Sequence, residues 1–222
     1  MSVQLKPFLS PQEYLAMERQ AETKSEYYAG EVFAMAGASR KHNLIMPNLT
    51  YLLVGQLKSR SCEVYNSDMR VKVSATGLYT YPDLAVVCGK PRFDDDQEDT
   101  LLNPTVIVEV LSKSTEAYDR GEKFAMYRAL ESMADYLLIT QDIARLEHYA
   151  RQPDGSWRFL ESAGLDGVAV IDSIECRLSL ADVYDKVDLA EPRRAPRLVV
   201  VKEQGEEYTP SPPEPQGLEI PG

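Results

Sequence analysis

The segment Thr105–Ser112, TVIVEVLS, constrains the fold more than any other stretch. Six of its eight residues are β-branched or leucine, with Pro104 before it. So short an apolar run reads as a strand covered on both faces, which demands a layer of structure on either side of a sheet. One residue violates that environment: Glu109, in the middle of the run. Ionised and unpaired there, a carboxylate costs on the order of several kcal/mol or keeps its proton. A cation, a donor cluster or a reaction has to account for Glu109, which makes it the first candidate functional residue.

The rest of the chain supplies the layers. Ser10-Pro11-Gln12-Glu13 is a helix start with a serine cap, proline at the first turn and glutamate closing a capping box. Tyr14, Leu15, Met17 and Ala21 give that helix its buried stripe. Residues 25–36 read as a hairpin turning at Ala29-Gly30, and 37–41 as a loop ending in His42. From 43 to 58, Ile45, Leu49, Leu52, Leu53 and Leu57 recur at helical spacing, with Pro47 in the first turn or so. Residues 63–67 and 69–74 read as strands, and Tyr81–Val87 as a second buried strand opening with Pro82-Asp83. Residues 92–103 form an acidic loop long enough to be mobile or a lid. A helix is expected over 119–132, a strand over 135–140, and a hairpin around Pro153-Asp154-Gly155. A short strand over 168–171 and a short helix over 179–184 follow. Residues 1–190 form one domain on this reading, and 191–222 an extended, charged, Pro-rich tail.

Composition narrows the class. With 222 residues, 44% hydrophobic, the chain can bury one good core. No apolar run approaches the roughly 20 residues of a membrane span, and no signal-peptide core is visible at the N-terminus. Cys62, Cys88 and Cys176 are odd in number and lack CxxC spacing, so they read as reduced core residues of a cytoplasmic protein. A net charge of −11 argues against a general nucleic-acid coat. The charge is uneven, however: Arg40, Lys41, Lys58, Arg60, Arg70 and Lys72 face only Glu63 and Asp68 within residues 38–72. Asp94, Asp95, Asp96, Glu98 and Asp99 are most simply a solvated acidic loop rather than a metal site. There are no internal repeats, no GxGxxG and no P-loop.

Asp83 opens one buried strand, Glu109 lies 26 positions on in the next, and Lys123 lies 14 further, on the following helix. If the two strands pair, their carboxylates can converge on one divalent cation, and hard oxygen ligands suit Mg²⁺ or Mn²⁺. Such an ion stabilises charge on a phosphate and lowers the pKa of bound water, while a nearby ammonium orients that water or neutralises the transition state.

The runs YPDLAVV, PTVIVEVLS and STEAYDRGEKFAMYRALESMADYLLI resemble the Uma-type restriction-endonuclease family of the PD-(D/E)XK nuclease superfamily. The upstream SEYYAGEVFAMAGASRKHN and the late LSLADVY are similar as well, so the resemblance covers roughly Leu9 to Tyr184. It implies an α/β, restriction-endonuclease-like core: a mixed central β-sheet flanked by helices, with an added N-terminal helix and hairpin. It also implies a Mg²⁺- or Mn²⁺-dependent endonuclease hydrolysing DNA. The metal-binding acids fall on Asp83 and Glu109, with the backbone carbonyl of Val110 beside them. The superfamily motif sets lysine two residues after the glutamate, where this chain has Leu111; in the Uma-type pattern the lysine sits on the next helix, at Lys123. Glu26, Glu31 and His42 match further recurrent positions, from which another acid could complete the metal shell. Lacking a separate DNA-reading domain, such a protein is expected to be a homodimer, with the basic run contacting phosphates.

Structural roles compete for each residue. Asp83 suits a strand-end cap, and Glu109 a buried ion pair with Arg120 or Lys123. Lys123 suits an i,i+4 pair with Asp119, and His42 a helix-start cap. The corresponding alternative function is a catalytically silent binding or assembly module on a nuclease fold; a hydrolase of small phosphate esters is a third.

Overall fold

Residues 8–190 are described by a computed structural model; the expected tail lies outside the described residues. In chain order the first half comprises α1 (Pro11–Glu18), β1 (Ser25–Tyr28), β2 (Glu31–Ala34), α2 (Arg40–Leu57), β3 (Cys62–Asn66), β4 (Arg70–Val73), β5 (Leu78–Thr80) and β6 (Leu84–Cys88). Then come β7 (Thr100–Leu101), β8 (Val106–Leu111), α3 (Glu116–Tyr118), a wide π-helical turn (Asp119–Lys123), α4 (Phe124–Tyr127) and β9 (Asp135–Thr140). The hairpin β10 (Arg145–Arg151) and β11 (Trp157–Ala163) precedes β12 (Val168–Ile171), β13 (Cys176–Ser179) and α5 (Leu180–Val183).

A six-stranded sheet in the order β11-β10-β9-β8-β6-β3 forms the centre. Only β8 and β9 run parallel within it; β6 pairs antiparallel with β8, and β3 with β6. As the unbroken apolar runs require, every residue of β8 and β9 is buried. Val106, Val108 and Val110 pack on one face against Ile45, Leu49 and Leu53 of α2 and Leu178 and Leu180 beyond it. On the other face Ile107 and Leu111 meet Phe124, Tyr127 and Leu130, together with Val71 and Val73. The architecture is thus the expected α/β one of mixed sheets flanked by helices.

Several boundaries differ from expectation, each for a local reason. The β1–β2 hairpin is part of a second, five-stranded sheet, β2-β1-β5-β4-β7. The helix expected from 43 starts at Arg40, because Ser39 accepts a hydrogen bond from the His42 N–H at 3.1 Å and caps it. Pro47 therefore falls inside the helix rather than in its first turn. Met17, expected in a buried stripe, is 42% exposed. The acidic loop is tied back by ion pairs: Arg19 pairs with Asp95 and Asp99, Arg70 with Asp99, and Lys72 with Asp94.

The expectation of three reduced cysteines fails for two of them. Cys62 and Cys88 are disulfide-bonded, with sulfurs 2.02 Å apart. They are 26 residues apart in sequence, and only the antiparallel β3–β6 register sets them directly opposite one another. Cys176 is buried and free. Among the described residues no helix is long and apolar enough to cross a membrane.

Candidate functional site

Strand register brings the two acids of the sequence analysis together. β6 and β8 pair with Leu84 opposite Val108, so one step further along the register Asp83 faces Glu109. Directly opposed residues have Cβ atoms about 4.5–5.5 Å apart and share a face of the sheet. Here it is the face of Ala85, Ile107 and Leu111, the one covered by α4. Asp83 is fixed from two sides: its Oδ2 accepts the Val110 N–H at 2.7 Å, and its Oδ1 lies 2.9 Å from His42 Nε2.

Lys123 reaches the same place from the helix. Its Nζ is 2.9 Å from Glu109 Oε1, 3.2 Å from Glu26 Oε1 and 3.8 Å from Asp119 Oδ1. Tyr127 donates its hydroxyl to Glu109 Oε1 at 3.0 Å. Asp119, Lys123 and Tyr127 are spaced by four, which in a regular helix rotates each about 40° past the last. The π-helical turn over Asp119–Lys123 shifts its step the other way, and all three side chains stay on the cluster. Wide turns of this kind recur at functional sites.

The N-terminal additions contribute Glu26. Tyr14 donates to the Ser25 carbonyl at 2.6 Å, and the Ser25 N–H donates to Glu18 at 2.8 Å, so α1 fixes the start of β1. The next residue, Glu26, then turns toward Lys123 and accepts a short hydrogen bond from Thr80 Oγ1. Glu31 sits at the turn end of the hairpin, opposite Tyr28 and exposed, and its side of the strand is that of Glu26. Of the competing structural roles, Glu109 does pair with Lys123, whereas Arg120 binds Glu116 and Glu147 instead. Tyr127, Asp119 and Thr80 escaped the sequence reading as site residues. Tyr127 lies within the helix expected over 119–132 and Asp119 reads there as an i,i+4 partner of Lys123; their spacing of four around Lys123 is the available signal.

Charge in the cluster is unbalanced. Glu26, Glu109 and Asp119 gather around one ammonium, with Asp83 beside Glu109. Burial, and then the Asp83 and Asp119 carboxylates, push the Glu109 carboxyl up to about 8 against the pull of Lys123. Burial likewise raises Asp119. Lys123 is held well above its ordinary value because the surrounding carboxylates outweigh its burial. Surplus carboxylates in a dry setting suit a divalent cation. Among the described residues, no three His, Cys, Asp or Glu side chains are arranged to close around one ion. A cation here would thus take two carboxylates and fill its shell with a backbone carbonyl, water and substrate oxygens, the habit of Mg²⁺ rather than of a protein-caged metal. Each Asp83 oxygen keeps a second lone pair beyond the contact above, whereas Glu109 Oε1 is already filled by Lys123 and Tyr127.

Five of the six cations of the basic run 38–72 are paired with acids. Arg40 pairs with Asp188, Lys41 with Asp142, Arg60 with Glu175, Arg70 with Asp99 and Lys72 with Asp94.

Comparison with known proteins places this geometry among relatives. The family model Uma2, described as "Putative restriction endonuclease", matches residues 11–183. Two proteins of Synechocystis sp. (strain ATCC 27184 / PCC 6803 / Kazusa), sll1609 and slr1290, both described as uncharacterized, are similar. The first is 39% identical over 164 residues, 74% of this chain and 93% of its own length. The second is 39% identical over 160 residues, 72% of this chain and 83% of its own length. A solved structure from Anabaena variabilis ATCC 29413, described as a "putative nuclease belonging to DUF820", matches with a TM-score of 0.62 at 18% identity. The match covers 78% of this chain and 96% of that one. At that identity the likeness establishes a common fold.

Proposed function

The chain belongs to the Uma2 restriction-endonuclease family, and from that premise we propose that it is a divalent-metal-dependent endonuclease hydrolysing DNA phosphodiester bonds. One observation carries the reading: Asp83 stands opposite Glu109 on paired strands, with the Lys123 ammonium 2.9 Å from Glu109.

Asp83 and Glu109, with the Val110 carbonyl, are the residues to hold Mg²⁺ or Mn²⁺. When bound, that ion supplies charge stabilisation at the attacked phosphate and water of lowered pKa. Lys123 offers its ammonium to the phosphate or to the attacking water, and its carboxylate neighbours keep it protonated at neutral pH. Glu26 steadies Lys123, Tyr127 orients Glu109, and His42 and the Val110 N–H hold Asp83 in one rotamer, as supporting contacts do around metal ligands. Glu31 is an accessory acid at the margin of the site. A homodimer, expected for a nuclease without a separate DNA-reading domain, presents two such sites.

The test is nicking of supercoiled plasmid, and cleavage of oligonucleotides, in Mg²⁺ or Mn²⁺. Asp83→Asn and Lys123→Ala are each expected to lower the rate by roughly 100-fold or more while the far-ultraviolet circular dichroism stays unchanged. Undiminished cleavage by both variants would remove these residues from the chemistry. DNA binding without any cleavage by the wild-type chain would favour the silent binding module.

A further inference from the structure

The inner face of the β1–β2 hairpin runs past the site and ends in two exposed aromatic rings. Alternation along the strands sets Tyr27 and Val32 on one side, packed with Tyr14 and Tyr79, and Glu26, Tyr28, Glu31 and Phe33 on the other. Glu26 of that second face touches Lys123 at 3.2 Å, so the face looks into the site. Phe33 is the direct cross-strand partner of Glu26, and Tyr28 is one step along the same face. Further into the sheet this face is fully covered, with Val71, Val73 and Leu78 at most 1% exposed. At its outer margin Phe33 is 47% and Tyr28 40% exposed. These rings add little to the core, and a pair of exposed aromatics at the lip of a site marks a binding surface.

Resting on the nuclease reading, we propose that Phe33 and Tyr28 form a stacking shelf for an unpaired nucleobase next to the scissile phosphate. The preferred substrate is then single-stranded or locally unpaired DNA. Charge supports this occupant. The chain carries −11 net, and five cations of the 38–72 run are engaged with carboxylates. A duplex is held mainly through its paired rows of phosphates, and five of the six cations of this run already face acids. Single strands combine backbone cations with aromatic rings beneath successive bases, and the stacking part of that contact needs no positive charge. Bases inside a duplex show no free π-face, so a shelf beside the catalytic acids selects those that are unstacked.

The experiment titrates the full-length chain into an oligonucleotide carrying a fluorescent purine analogue, single-stranded and then annealed to its complement. Cleavage of unlabelled versions of both is followed in Mn²⁺. The expected result is quenching and at least tenfold tighter binding for the single strand. Phe33→Ala and Tyr28→Ala should each weaken it by roughly fivefold to a hundredfold, while Phe33→Trp restores binding. Equal affinity for both forms, or alanine variants that bind like the wild type, would overturn the shelf. So would sedimentation showing a dimer that Phe33→Ala dissociates, since a second copy would then own this edge. The two readings fail separately: cleavage indifferent to Phe33 leaves the nuclease and removes the shelf. Phe33-dependent binding with no cleavage in any metal leaves the shelf and removes the nuclease.

Discussion

At Glu109, burial and the neighbouring acids hold a carboxyl group up to about 8, far above the 4.5 it has when the chain unfolds. The folded state therefore keeps a proton that the unfolded state releases. In chelator, stability is expected to fall as pH rises from about 4.5 towards 8 and to level off above, by on the order of a few kcal/mol in total. Urea denaturation across that range reads the slope, and Glu109→Gln should flatten it. A stability that climbs through the same window would mean that Glu109 is ionised in the fold. Lys123 makes the complementary point. Its removal leaves Glu26, Glu109 and Asp119 facing one another without a cation, so Lys123→Ala should cost about 3–5 kcal/mol. Millimolar Mg²⁺ should return part of that loss. A change below about 1 kcal/mol would show the acids already neutral or solvated.

Among the elements, the long buried strands were the most legible. β8 and β9 announce themselves because a sheet covered on both faces leaves only apolar residues. Asp83 and Glu109 stood out for the same reason, as charges in the wrong solvent. Lys123 could be placed on the following helix, but its approach to the acids depends on the wide turn at Asp119–Lys123, which no periodicity encodes. The membership of β1 and β2 in a second sheet was not legible either, because strand order follows from long-range packing. Nor was the disulfide, since spacing does not reveal which strands lie edge to edge. That bond fastens the edge strand β3 to β6, the strand that Asp83 precedes. Closing a loop of this length is worth about 2–4 kcal/mol. The double variant Cys62→Ser, Cys88→Ser should lose that much in denaturation, with hydrogen exchange quickening first in β3. Unchanged stability would show that the cysteines are reduced in solution.

For the whole molecule, on the proposed nuclease function, the sign and placement of charge set how DNA would be met. With −11 overall and five of the six cations of the 38–72 run paired with acids, few counterions can be released on binding. Affinity for a single strand should therefore fall only weakly with salt, with a log–log slope near that of one or two phosphate contacts, about −0.7 each. A slope of five or more would reveal a basic surface elsewhere on the chain. In the mixed sheets β6 and β8 set two acids side by side, the helix after β8 brings an amine, and the hairpin brings a third acid. Mn²⁺ binding followed by electron paramagnetic resonance asks directly whether those two acids share a cation. One Mn²⁺ per chain is expected for the wild type, lost in Asp83→Asn and in Glu109→Gln and kept in Glu31→Gln. Stoichiometry and affinity unchanged in both Asp83→Asn and Glu109→Gln would contradict a shared metal at this site.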